Sequence, residues 1–300
     1  MQMPNAPAVE ADSEYEMIEI QPGLHSLRSR THRETFHPVV GPMVEAEALH
    51  VRQQRLVERA LECAEPFIIW DVGLGAAANA IAALQAVHGI AAKVEIHSFD
   101  RTLGALEFAL TRADQLPYVQ AHWDTLATLL AAHCVDLDNV RWQVHLGDFR
   151  DFVADRSSSI PRPHAILYDP YSPKANPELW HLEHFRKLHA ALDPNRPCLL
   201  SNYSRSTAVR VTLLLAGFYV GYGAATGEKD QTTLASNSST LLNAPLDHEW
   251  LGRVSRSVRS APLRLSSSEI LISEHDFKDI RSHPQFLFES PLRRRTFRKH

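Results

Sequence analysis

Four carboxylates in this chain stand where a mostly apolar run ends and a turn begins. Asp71 follows Phe67-Ile68-Ile69-Trp70, Asp100 follows Val94 to Phe99, Asp148 follows Val140 to Leu146 and one glycine, and Asp169 follows Ala165-Ile166-Leu167-Tyr168. Short apolar runs of this kind read as strands buried in a parallel sheet. The carboxyl ends of such strands are where open α/β sheets bind ligands. A single acid there reads as a helix cap. Three at successive strand ends, Asp71, Asp100 and Asp148, favour contacts to a ligand over three caps.

The ligand is narrowed by the turn Asp71-Val72-Gly73-Leu74-Gly75-Ala76-Ala77-Ala78-Asn79. Strand, glycine turn and helix form the opening unit of a nucleotide-binding sheet, in which glycines admit close backbone approach and the helix N-terminus offers free N–H groups. Gly73, Gly75 and Ala78 also satisfy the permissive dinucleotide fingerprint. Two acids argue against a nicotinamide. Asp71, before the first glycine, is placed to hold the amino group of a methionine moiety. Asp148, at the third strand end, is placed to read an adenine amine, while Asp100 would accept hydrogen bonds from both ribose hydroxyls. The cofactor expected is S-adenosyl-L-methionine, contacted by Asp71, Gly73, Gly75, Asp100, Asp148 and Asp169.

The most particular stretch is Asp169-Pro170-Tyr171-Ser172-Pro173-Lys174-Ala175-Asn176-Pro177-Glu178-Leu179-Trp180. Proline fixes its own φ and biases the preceding residue away from helix, so the loop should be rigid and extended. Asn176 and Pro177 read as a helix cap and first helical position. Asp169 could position an acceptor group and take a proton. Tyr171 would offer an aromatic wall to a cationic transition state. Lys174 reads equally as a contact to a substrate phosphate and as a solvated loop lysine, while Glu178 is placed to support the helix start and Trp180 to pack in the core.

Positioning these residues requires alternating strands and helices from Phe67 to Tyr222, which predicts a doubly wound, mostly parallel α/β sheet. Ahead of it, Glu45 to Cys63 carries helical spacing of apolar residues. Gln231 to Ala235 reads as a last strand returning beside Phe218 to Tyr222. Residues 1–22 read as a loosely ordered leader, 23–240 as one Rossmann-like domain, and 241–300 as an irregular tail with a basic end.

The chain's 44% hydrophobic and 22% charged residues are those of an ordinary globular protein. No apolar run approaches the ~20 residues of a membrane span, and the first residues lack a signal pattern, so a cytoplasmic location is expected. Cys63, Cys134 and Cys198 show no paired spacing, which predicts free thiols. His181, His184 and His189 share a predicted helix but have no carboxylate-backed cluster, so no metal is expected. The net charge of −4 argues against a broadly basic surface. Arg293, Arg294, Arg295, Arg298 and Lys299 nonetheless make the end basic, a run that reads first as a solvated terminus and second as a salt-sensitive contact to phosphates.

The strand-four stretch, taken with Asp71 to Gly75, resembles the MnmC-type methyltransferases. Asp169, Tyr171, Pro173, Lys174, Asn176, Pro177, Glu178 and Trp180 carry the likeness, and Glu34-Thr35-Phe36-His37-Pro38, Gly41-Pro42 and Glu45-Ala46 are similar to that family's approach to its first strand. The similarity covers about Gly23 to Ala235. It implies the seven-stranded class I methyltransferase fold and N-methylation of 5-aminomethyl-2-thiouridine, the tRNA wobble base, to 5-methylaminomethyl-2-thiouridine. Asp169 and Tyr171 would be catalytic, with Tyr171 and Lys174 on the substrate. The chain departs from the pattern at Pro170, where a small residue is usual, at Tyr171, where phenylalanine is common, and in the fewer positive charges of Gly227 to Gln231, where the family has a basic stretch. Nothing in it resembles the oxidase domain of bifunctional members. Two other readings keep the same fold: methylation of a small-molecule amine or a protein, and an idle binding scaffold.

Overall fold

The computed structural model describes residues 13–287 apart from 156, 158 and 226–230. Its centre is an eight-stranded sheet. In chain order the strands are β4 (Phe67–Val72), β5 (Val94–Asp100), β6 (Cys134–Leu137), β7 (Val140–Leu146), β8 (Ala165–Tyr168), β9 (Leu199–Asn202), β10 (Tyr219–Tyr222) and β11 (Thr233–Ser236), and in space they run β10-β11-β9-β8-β4-β5-β7-β6. β4, β5, β7, β8 and β9 pair in parallel, while β11 inserts antiparallel between β9 and β10. This is the Rossmann-like class I arrangement with one strand added. The addition is β6, an antiparallel edge strand that the sequence does not announce. It forms because His133 and Asp138 take left-handed backbone (φ 56° and 47°), turning the chain out of helix Trp123–Ala132 and back into β7.

β4 lies centrally, buried at all six positions. Its side chains alternate between two cores, as the period of a strand requires. Phe67 and Ile69 join the core beneath helices Leu56–Leu61, Ala78–Val87, Gly104–Thr111 and Trp123–Ala132. Ile68, Trp70 and Val72 join the opposite core, with helices Leu182–Ala191 and Thr207–Leu215. The sheet order reverses between β4 and β8, so the loops leaving them diverge and open a crevice at their carboxyl ends.

Both ends of the described chain are more ordered than the sequence suggests. β1 (Tyr15–Gln21), within the expected leader, pairs antiparallel with β2 (Leu24–Ser29), which pairs with β3 (Glu34–Thr35). The predicted helix from Glu45 is really three pieces: Pro42–Ala46, a π-helical turn over Glu47–Arg52, and Leu56–Leu61 beyond a left-handed Arg55. After β11 the chain forms helices His248–Val254, Glu274–Arg281 and Pro284–Leu287 and returns to the sheet. Gln285 clamps it there, accepting from Val220 N at 2.7 Å and donating to Val220 O and Leu246 O at 2.8 Å. The Gly227–Gln231 stretch up to residue 230 and the terminal arginines lie outside the described residues.

Candidate active site

The crevice holds a cavity of about 760 Å³, within the ~300–1,000 Å³ of small-molecule sites. Its floor is the glycine turn. Gly73 has φ +91°, and a Cβ there would lie 2.8 Å from the carbonyl oxygen of Asp169. Any side chain would therefore push the β4 and β8 loops apart. Gly75 has φ +52° and faces the ring of Phe36, 3.1 Å from a would-be Cβ. Helix Ala78–Val87 starts on left-handed Ala77 without a side-chain cap, which leaves its first N–H groups at the cavity floor.

Asp100 closes the turn from β5. Its Oδ2 accepts from Gly75 N at 3.0 Å and its Oδ1 from Arg101 N at 2.7 Å. Burial raises its affinity for a proton, and these N–H groups oppose that shift. Asp148 also lines the cavity, but it is a helix cap as well. Its Oδ1 accepts from Arg150 N and Nε at 3.0 and 2.9 Å, and its Oδ2 from Arg150 and Arg101 guanidinium nitrogens, both at 2.6 Å. The Arg150 hydrogen bonds, with Arg101 adding to them, hold this carboxyl well below the usual range. Reading an adenine amine would require it to give up one of these partners.

Asp71 is the residue the structure places elsewhere. It shares the face of β4 that carries Phe67 and Ile69, is wholly buried, and is absent from the cavity lining. Ser98 Oγ donates to its Oδ2 at 2.7 Å, and Trp142 Nε1 donates to Ser98 Oγ at 2.9 Å. Burial pushes its carboxyl up to about 8. The group next to Asp169 is instead Asn79, the second residue of the following helix. Its Nδ2 donates to Asp169 Oδ2 at 2.9 Å, while its buried Oδ1 has no hydrogen-bond partner among the described residues. The sequence shows Asn79 only as the last residue of the glycine turn.

The β8 loop is rigid, for reasons beyond its prolines. Ser172 N donates to Glu34 Oε2 at 2.8 Å and Ser172 Oγ to Glu34 Oε1, pinning the loop to β3. Trp180, fully buried, donates from Nε1 to Tyr171 O at 2.7 Å. Asn176 and Pro177 do open a helix, a single 3₁₀ turn through Leu179, and Glu178 reaches the cavity wall. Tyr171 stacks on His32, with ring centroids 4.0 Å apart, and meets Phe36 at 5.7 Å. Burial pushes its hydroxyl up to about 12. Lys174 is exposed and does not line the cavity. His37 and Glu45, met in the sequence only as part of the approach to β4, line the cavity beside Asp169.

The donor set fits S-adenosyl-L-methionine. The glycine cradle admits a ligand against backbone, Asp100 presents a carboxylate at the second strand end, and the unpartnered Asn79 Oδ1 can accept from an ammonium group. Residues 113–238 match the family model of an S-adenosyl-L-methionine-dependent methyltransferase. The chain is an S-adenosyl-L-methionine-dependent methyltransferase of Rossmann-like class I fold.

Its likeness to the MnmC-type enzymes also stands. MnmC2 from Aquifex aeolicus matches at 25% identity over 91% of this chain and 86% of that one, with a TM-score of 0.68. More distant are a methyltransferase from Agrobacterium tumefaciens (17% identity, 76% of this chain and 71% of that one, TM-score 0.39) and a spermidine synthase bound to the transition-state analogue AdoDATO (13%, 86% and 76%, TM-score 0.42). No curated protein sequence matches the chain. Among the described residues no helix is long and apolar enough to cross a membrane, and no group of three metal-ligating side chains could hold a metal. The three cysteines are free thiols.

Proposed function

We propose that this enzyme N-methylates a primary aminomethyl group in the cytoplasm, and that the group belongs to the wobble uridine of tRNA, converting 5-aminomethyl-2-thiouridine to 5-methylaminomethyl-2-thiouridine. The observation that carries the reading is the pairing of Asp169 with Asn79 on the cavity wall. The Asp169 carboxylate, held by Asn79, is an acceptor of the kind that a substrate ammonium or amine requires. The likeness to MnmC2 supports tRNA as its bearer.

When bound, S-adenosyl-L-methionine supplies a methyl group already activated by its sulfonium, so the protein's task is orientation. Asp169 accepts hydrogen bonds from the amine and fixes the direction of its lone pair. Asn79 holds the Asp169 carboxylate by its Nδ2. Tyr171, braced by His32 and by the Trp180 bond to its carbonyl, walls the acceptor side with an aromatic surface favourable to positive charge. Asp100 and the turn at Gly73 and Gly75 hold the donor side, and exposed Lys174 is available to a nucleic-acid phosphate.

The test is methyl transfer from labelled S-adenosyl-L-methionine to tRNA carrying the unmethylated aminomethyl base. Label should appear in that nucleoside, and tRNA retention should weaken with salt. Cofactor binding by calorimetry without transfer to tRNA would overturn the tRNA assignment. Transfer to a free primary amine under those conditions would establish the small-molecule reading instead.

A further inference from the structure

Resting on the reading of the acceptor as a primary amine, one chemical requirement has no agent among the residues assigned so far. A primary ammonium has no lone pair and must lose a proton before it can attack a methyl group. Asp169 is badly suited to take it, because a carboxylate beside an ammonium stabilises the charged form, typically by about 1–3 pK units. A second group is required close to Asp169, one that can take a proton without carrying a fixed negative charge of its own.

His37 is such a group. It lines the cavity, its side chain is 11% exposed, and its Nε2 lies 3.9 Å from Asp169 Oδ2. On the other side of the ring, Nδ1 lies 3.9 Å from Glu45 Oε2, a carboxylate 6% exposed. Both contacts are somewhat long for hydrogen bonds, as catalytic contacts commonly are before substrate draws them together. The backbone adds an independent observation. His37 sits at φ 47°, in the left-handed region, on the segment joining β3 to helix Pro42–Ala46. Strained backbone of this kind persists where the surroundings over-determine it, often at functional sites.

We propose that His37 is the general base of the methyl transfer, oriented by Glu45. With its ring proton on Nδ1 toward Glu45, Nε2 presents a lone pair toward Asp169 and the amine held there. One N–H bond of the ammonium breaks, its electron pair stays on nitrogen and the proton passes to Nε2. That pair would then form the new N–CH3 bond as the donor's methyl–sulfur bond breaks, its electrons staying on sulfur, which leaves as a neutral thioether. The imidazolium then lies between two carboxylates, which stabilise it. The methylated product is a secondary ammonium, and the single proton released overall leaves from His37 to water as the product departs. An imidazole turned by one carboxylate toward the reacting group repeats the logic of other base-activated nucleophiles. The titratable groups that face His37 are Glu45, Asp169 and the buried His50, with Tyr203 across the cavity beside both carboxylates.

Two measurements decide it, one of them independent of substrate. The first is kcat against pH for wild type and His37→Asn with tRNA bearing the aminomethyl base. The variant should lose about 10²–10⁴-fold near neutral pH. It should regain about tenfold per pH unit toward alkaline pH, as free amine is supplied by solution rather than by the protein. S-Adenosyl-L-methionine affinity should be unchanged. The second is the ¹⁵N spectrum of the wild-type histidines, with His37 identified as the signal missing from His37→Asn. The proton should reside on Nδ1, and Glu45→Gln should abolish that preference while retaining cofactor binding. A His37→Asn rate within threefold of wild type, a loss that ignores pH, or a wild-type ring proton on Nε2 would each overturn the proposal. Absence of transfer to tRNA by the wild type would instead overturn the substrate, and the ring tautomer would still decide the role of His37.

Discussion

Asp71 shows how one peptide step separates a binding residue from a buried one. Its position before the glycine turn suggests a cofactor contact, but strand parity turns its side chain into the layer between sheet and helices. There it bonds to Ser98 alone, with Oδ1 unpartnered among the described residues. Burial pushes its carboxyl up to about 8, with nearby Asp169 and Asp100 also raising it. The folded state therefore binds a proton more tightly than the unfolded state, whose carboxyl keeps the ordinary range. From about pH 5 to 8 the folded state holds more protons, so stability falls as pH rises. Asp71→Asn keeps the shape and removes the titration. Its melting temperature relative to wild type should rise by several degrees between pH 5 and pH 9, since each kcal/mol shifts Tm by about 2–4 °C in a domain of comparable size. A parallel pair of profiles would show that Asp71 is ionised throughout.

At the scale of elements, the site depends on a docked pair: the β8 loop and the antiparallel sheet β1–β3. Glu34 is the joint, taking both Ser172 hydrogen bonds, while Phe36 covers Gly75 and His32 stacks on Tyr171. Glu34→Ala leaves the half-buried Ser172 N–H without its acceptor, at a cost of about 1–3 kcal/mol. Amide exchange at Ser172 should accelerate by one to two orders of magnitude while the β4 amides stay protected. Unchanged exchange would mean that the prolines alone hold the loop. The sequence announces the β8 loop through proline and an aspartate after an apolar run. It hides β1, because Glu16 and Glu19 interrupt the apolar residues of a mostly half-buried strand whose register shifts between Glu19 and Gln21. It hides β6 for a different reason: four residues entered directly from a helix give no period to read.

The whole molecule carries several histidines that folding keeps neutral. Burial lowers His50 and His184 to about 3 and His145 and His164 to about 4, with neighbouring His or Arg groups adding to each. In the unfolded chain these imidazoles take protons near their ordinary range, so below about pH 6.5 the unfolded state binds more protons. Stability then rises with pH between about 4 and 6.5 and is lost as pH falls through that window. Together with Asp71, which acts in the opposite sense at higher pH, this predicts a stability maximum near neutrality and acid unfolding that begins below about pH 6. Thermal melts across pH 4–9 test it, and a profile flat from pH 4 to 6.5 would contradict neutral burial of these rings.

From the sequence alone came the alternation of strands and helices, the glycine turn and the Asp169 to Trp180 loop. Each is local: apolar runs, glycines and prolines act within a few residues of themselves. The tertiary structure decided which acids face the cavity, because that depends on strand parity and on partners far along the chain. It moved Asp71 into the interior and set Asp148 between two arginines. It also brought His37, Glu45, Asn79 and Asp169 together from the β3 connection, two helices and a strand end. No spacing in the chain encodes that meeting, which exists only because the sheet reverses its order between β4 and β8.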